Sequence, residues 1–196
     1  MKLFFNIYFI VATVSFSSAQ IIDASVCNAA YGEPHYNERN YGDYEYLSIV
    51  SWTANAHGVK QFDWFSFISE KYLQKNWKSI SSLKLVLHKR SGHKYFAGGQ
   101  YGENRLRIFP ITDKWKESKV TWDNKPVINS QISVEVNPRD FQDKLEIDLT
   151  PIIKKLGKDK CYGFAILLVE FNPNASCLFY STDTEHKDLK PRFIYE

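Results

Sequence analysis

The sequence predicts an all-β chain: an antiparallel β-sandwich of jelly-roll type with one short helix. Three observations carry that prediction. Short stretches rich in β-branched, aromatic and leucine residues recur along the chain with apolar and polar positions alternating, which is the period of a half-buried strand. Clusters of Gly, Pro, Asn and Asp separate them, as turns do. The clear helical signals gather at Thr150-Pro151 to Gly157.

In order, the expected strands are 21–27, 44–52, 61–68, 83–87, 105–111, 120–122, 132–136, 145–149, 164–169, 178–181 and 192–195. The aromatic run Gln61 to Ile68 reads as a central strand, and Phe164 to Val169, apolar on both faces, as a strand covered on both sides. In the Arg105 to Pro126 stretch, Leu106, Ile108 and Ile111 alternate with Arg105 and Arg107, and Pro110 marks an edge or a strand end. Asp113 to Lys119 is a charged loop anchored by Trp115, and Val120-Thr121-Trp122 reads as a short strand that drops into the turn Asp123 to Pro126. Trp115 and Trp122 are expected to pin this connection to the core rather than to meet ligand. The segment 69–78 is irregular. Glu135, Glu146 and Asp148 fall on the polar faces of their strands. In the helix, the Thr150 hydroxyl is placed to cap free amides, Pro151 takes the first helical position, Ile152, Ile153 and Leu156 form the buried stripe, and Gly157 ends it.

Residues 1–19 have the pattern of a signal peptide: Lys2, an apolar run from Leu3 to Val14, then the small residues Ser17-Ser18-Ala19. Residues 20–196 are then a single domain with enough chain for a proper core. No other run reaches the roughly 18 apolar residues of a membrane span, so the expected product is secreted and extracellular. The formal charge of +3 falls to +2 without Lys2, and so selects no partner class. Basic helices, zinc knuckles and RNA-binding strand motifs are missing, which argues against nucleic acid.

Cys27, Cys161 and Cys177 in an oxidising compartment imply one disulfide and one leftover thiol, with three pairings open. Cys161 and Cys177 flank an apparent hairpin whose turn near 172–175 would not bring them opposite, which favours Cys27 paired with one of the two. Asn174-Ala175-Ser176 is a glycosylation acceptor in that turn.

Taken together, Asn40-Tyr41-Gly42, the aromatic strand, Leu83 to Leu87, Trp115, Thr121-Trp122…Pro126, Ile147 to Thr150, Tyr162-Gly163-Phe164, Phe179-Tyr180-Ser181 and Pro191-Arg192-Phe193 resemble the DNRLRE domain family, over nearly all of 20–196. That family is also classed among carbohydrate-binding modules for alginate-type polysaccharides. The resemblance implies a jelly-roll module that binds acidic polysaccharide without cleaving it. Trp64 stands where the family more often has a basic residue.

A module for acidic glycans needs cations for carboxylates and flat rings for sugars. The candidate ligand-binding residues are Lys89, Arg90, His93, Lys94 and Tyr95 of the basic loop, Tyr44 and Tyr46 of an early strand, and Trp64. Lys187, Lys190 and Arg192 are candidates to extend the basic patch. The plain alternatives are a solvated basic loop and tyrosines packed in the core. Catalysis is not expected: His35, His57, His88, His93 and His186 are scattered, without HExxH or GxSxG. No cofactor is called for, although loops of this kind can hold a structural calcium. The alternative function is a structural or interaction protein of an extracellular matrix, wall or secretion, joined through an intermolecular disulfide of the leftover cysteine. A polysaccharide lyase ranks third.

Overall fold

The computed structural model describes residues 20–23, 25–31, 38–53, 61–69, 77–90, 100–101, 104–157, 160–170 and 175–196. Among them run β1 (Gln20–Asp23), β2 (Ser25–Tyr31), β3 (Tyr46–Thr53), β4 (Gln61–Ser69), β5 (Leu83–His88), β6 (Gln100–Tyr101), β7 (Leu106–Pro110), β8 (Val134–Val136), β9 (Lys144–Asp148), helix α1 (Thr150–Leu156), β10 (Phe164–Leu168), β11 (Ala175–Tyr180) and β12 (Arg192–Tyr195). The chain is an all-β sandwich with one short helix. One sheet has the order β1-β12-β5-β9; the other runs β6-β11-β3-β4-β10-β7-β8, with β2 also paired to β4. Every pairing is antiparallel. The aromatic strand β4 is central, as expected, since it pairs with β2, β3 and β10.

Period-2 alternation builds the core. Leu83, Leu85 and Leu87 of β5, Leu145 and Ile147 of β9, and Phe193 and Tyr195 of β12 face Leu47 and Ile49 of β3, Leu106 and Ile108 of β7, Phe164, Ile166 and Leu168 of β10, and Cys177 and Phe179 of β11. The α1 stripe Ile152, Ile153 and Leu156 joins the same cluster. A second, smaller cluster lies on the far side of β10, where Ile111, Val120 and Ala165 receive Trp115, Ile128, Tyr162 and Leu167. Trp115 is pinned there, its indole N–H donating to the Tyr162 carbonyl at 2.9 Å. On the polar face of β7, Arg107 stands opposite Glu135 and forms an ion pair with it, and Arg105 lies 3.3 Å from Glu170.

Four expectations are corrected. First, 120–122 is not a strand: the Asn124 side chain accepts from the Thr121 amide at 2.7 Å and donates to the Lys119 carbonyl at 2.9 Å. This local turn outcompetes β propensity where no ladder partner is present. Second, Thr150 does not cap α1. Its hydroxyl accepts from the Leu83 amide at 3.0 Å, while Asp148 accepts from the Thr150 amide at 2.9 Å. Gly157 ends the helix at φ 57°, as expected of glycine. Third, β10 and β11 are not a hairpin, because β10 pairs with β4 and β7 while β11 pairs with β3 and β6.

Fourth, neither Cys161 nor Cys177 is in a disulfide; both are buried. Cys161 donates to the Gly163 carbonyl at 3.4 Å. Cys177 lies in β11, separated from Cys27 in β2 by β3 and β4. Three strand spacings are roughly 14 Å, beyond the roughly 7 Å Cα limit of a disulfide. Burial pushes the Cys161 thiol from 9.0 up to about 11. The unfolded thiol ionises first, so Cys161 contributes stability below about pH 9 that is lost as pH rises towards 11. Native Cys161 is therefore expected to resist iodoacetamide at about pH 8 and to react fully after denaturation, as read by mass spectrometry. Rapid native labelling would show that the thiol is not sealed.

The leader 1–19, His93, Lys94, Tyr95 and Asn174 lie outside the described residues, as do the side chains of Trp64 and Cys27.

Candidate functional site

The site grows from the start of β3. Leu47 and Ile49 point into the core, so Tyr46, on the alternate face, points away from it. Tyr46 and Tyr44 are half-buried on that outer face rather than packed between the sheets. Their rings meet edge to face at 5.5 Å, and Tyr44 meets Tyr41 in the same way at 5.2 Å. The Arg39 guanidinium lies 5.0 Å from the Tyr41 ring centre. Three rings with a cation at one end make an aromatic ladder, an arrangement set by the positive edge and negative face of each ring.

A second cation covers the other end. Arg90 leaves β5 where its backbone amide donates to Leu178 of β11 at 2.9 Å, and its guanidinium lies 4.8 Å from the Tyr46 ring centre. It also stands 3.9 Å from Glu45, with its side chain 24% exposed. Opposite Tyr46 in register is Tyr180, whose ring meets His186 edge to face at 5.7 Å. Arg90, Tyr180, Glu45, Thr184, Glu185 and His186 enclose a cleft of ≈ 180 Å³. That is below the roughly 300–1,000 Å³ of pockets that engulf drug-sized ligands.

Ser181 holds the cleft in shape. Buried just after β11, it donates from its hydroxyl to the Tyr44 carbonyl, its amide donates to the Glu45 carbonyl at 3.0 Å, and the same hydroxyl accepts from the Asp183 amide at 3.1 Å. Thr184 in turn accepts from the His186 amide at 3.3 Å. Burial, with Tyr44 beside it, raises the Tyr46 phenol above its ordinary value, against the pull of Arg90. Tyr46 thus stays protonated at neutral pH and keeps a hydroxyl to donate. The cleft offers flat rings, a planar cation, hydroxyls, and two carboxylates able to accept hydrogen bonds.

Of the residues expected from sequence, the structure brings Arg90, Tyr44 and Tyr46 together. Lys89 departs: its ammonium donates to the Phe141 carbonyl, on the side away from Arg90. Arg192 lies in β12 of the other sheet, and Lys190 is committed to the Thr182 carbonyl at 2.6 Å. Tyr180, Glu45, Thr184 and His186 were missed. Tyr180 was legible only as part of the Phe179-Tyr180-Ser181 motif, and nothing local marks His186. Among the described residues, no group of three or more His, Cys, Asp or Glu side chains is placed to hold a metal ion, and no helix is long and apolar enough to cross a membrane.

Compared with known families, the chain matches the model of carbohydrate-binding module family 96 over residues 22–194. A comparison with curated proteins gives no match.

Proposed function

Because the chain belongs to carbohydrate-binding module family 96, we propose that it is a secreted, non-catalytic protein that holds a polysaccharide at the Arg90 cleft, in the manner of a DNRLRE-type module. The carrying observation is the Arg90 guanidinium held over Tyr46, with Tyr180 and His186 across the cleft. A sugar ring presents C–H groups to aromatic faces and hydroxyls to a planar cation and carboxylates. One shallow cleft gives modest affinity, and several copies acting together on a polymer raise it. The leader-like residues 1–19 support secretion, and the resemblance supports a polysaccharide ligand. Cross-linking through a disulfide is the weaker reading, since Cys161 and Cys177 are both buried.

Screening the full chain against a panel of neutral and acidic polysaccharides tests this function. Arg90→Ala is expected to weaken retention roughly five- to thirtyfold, the equivalent of about 1–2 kcal/mol for a cation lost from a partly desolvated ring face. Arg90→Lys, which keeps charge but loses the planar fork, is expected to fall between the two. Equal binding by wild type and Arg90→Ala would remove the cleft from the function.

A further inference from the structure

A hydroxyl both donates and accepts a hydrogen bond, and the Arg90 cleft holds one partner for each role with room between them. Arg90 Nη2 and Glu45 Oε2 stand 3.9 Å apart, too far for a direct hydrogen bond. A hydroxyl set between them accepts from the guanidinium and donates to the carboxylate, as a bridging water would. A ligand carboxylate at the same point satisfies Arg90 but turns its charge on Glu45, because an ionised carboxylate has no proton to donate. Glu185 lines the cleft as well; it is exposed and has no hydrogen bond or ion pair among the described residues.

The charge around the cleft acts in the same direction. Arg90 and His186 are its cations and Glu45 and Glu185 its anions, so it carries no net positive charge in either state of His186. A groove of ≈ 460 Å³ is lined by Asn40, Gly42, Asp43, Glu117, Ser118 and Asp183, which include three acids and no cation. Cleft and groove draw on the same segments: Asp183 of the groove is followed by Thr184 of the cleft, and Asp43 stands two residues before Glu45. Lys116 and Lys119, close to Glu117 in the chain, line a different concavity. A polymer seated at Arg90 and running along this groove passes carboxylates and no lysine or arginine in its lining.

We propose that the Arg90 cleft is specific for neutral, hydroxyl-rich polysaccharide and excludes uronates, with Glu45 and Glu185 as the residues that set this specificity. Hydroxyls of one sugar bridge Arg90 and Glu45, and like-charge repulsion from Glu45 and Glu185 turns acidic chains away. This specificity rests on carbohydrate binding at the cleft, and it reverses the acidic ligand class that the family resemblance implies.

Biolayer interferometry of the full chain tests it on immobilised neutral polymers (a β-glucan, a mannan, a galactan and a xylan), on polygalacturonate and on methyl-esterified polygalacturonate. The proteins compared are wild type, Arg90→Ala and the double variant Glu45→Gln/Glu185→Gln, with thermal unfolding as the check on folding. Wild type is expected to bind at least one neutral polymer about tenfold or more tightly than polygalacturonate. That neutral binding should change less than about twofold between 0.1 M and 1 M salt, where the Debye length shrinks from roughly 10 Å to 3 Å, since no long-range attraction is being screened. The double variant is expected to gain about fivefold on polygalacturonate and to lose about threefold on the neutral polymer, as charged acceptors become neutral ones and the repulsion is removed.

Wild-type binding to polygalacturonate as tight as to any neutral polymer or to the methyl ester overturns the specificity and leaves carbohydrate binding intact. An unchanged neutral-to-acid ratio in a folded double variant removes Glu45 and Glu185 from it. Neutral binding that Arg90→Ala leaves untouched shows that the polymer sits elsewhere and overturns the cleft as its site. If wild type binds none of the polymers, the proposed function falls and the specificity with it.

Discussion

Phe193→Ala is expected to destabilise the protein by about 3–5 kcal/mol, the cost of emptying a fully buried phenylalanine site. The residue is completely enclosed on β12, paired in register with Leu85 of β5 and Ile22 of β1. Its ring lies 6.0 Å from that of Phe164, which belongs to β10 of the opposite sheet. The two rings therefore join the sheets across the centre of the sandwich. A domain of this size typically has about 5–15 kcal/mol in hand, so the substitution removes a large part of the total. At roughly 2–4 °C per kcal/mol the midpoint of thermal unfolding should fall by about 6–20 °C. Phe193→Leu, which keeps most of the volume, should cost less than about 1.5 kcal/mol. A shift of only a degree or two for the alanine variant would mean that the sheets close without this pair.

Asn40→Ala is expected to cost about 2–4 kcal/mol, because two partly buried carbonyls lose their donor at once. The Asn40 amide donates to the Glu117 carbonyl at 2.7 Å and to the Val120 carbonyl at 2.6 Å, and its oxygen accepts from the Gly42 amide at 3.1 Å. It ties the loop that carries Tyr41 and Tyr44 to the segment that carries Lys119. Gly42 is close by for the same reason: a Cβ there would meet the Glu117 carbonyl oxygen at 3.0 Å. Asn40→Asp sharpens the test. The carboxylate can still accept from Gly42 but turns negative oxygen towards two carbonyl oxygens, so it should be at least as damaging as alanine, and least stable at neutral pH where it is ionised. Loss of Asn40 should also weaken glycan binding at the Arg90 cleft. A stable Asn40→Asp variant with unchanged binding would show that the two loops hold their places independently.

Much of the fold was legible because strand signals are local. Leu83-Lys84-Leu85 and Leu106-Arg107-Ile108 alternate as their burial does, and β12 begins and ends where the sequence places it. Misreadings arose where a distant group captured a local one. The Thr150 hydroxyl, well placed to cap its own helix, is taken by Leu83, 67 residues earlier. Val120-Thr121-Trp122 has β-forming side chains, yet Asn124 folds its backbone into a turn. For Trp122, the Lys125 ammonium 4.1 Å from the ring centre provides cover that no strand pattern anticipates.

The site divides in the same way. Arg90, Tyr44 and Tyr46 could be named from residue type, but Lys89 and Arg90, neighbours in the chain, part company because successive residues of an extended backbone project to opposite sides. Tyr180, with His186 against its ring, comes opposite Tyr46 only through the β3–β11 register. The sequence by itself determined the all-β class, the faces of the strands and the glycine stop of the helix, since each depends on residues within a few positions of one another. Only the tertiary structure decided which strands are neighbours, that Cys161 and Cys177 stay out of disulfides, and which cations meet which rings. Those outcomes turn on separations of a few ångströms between segments far apart in the chain, and such distances exist only once the two sheets have closed on their core.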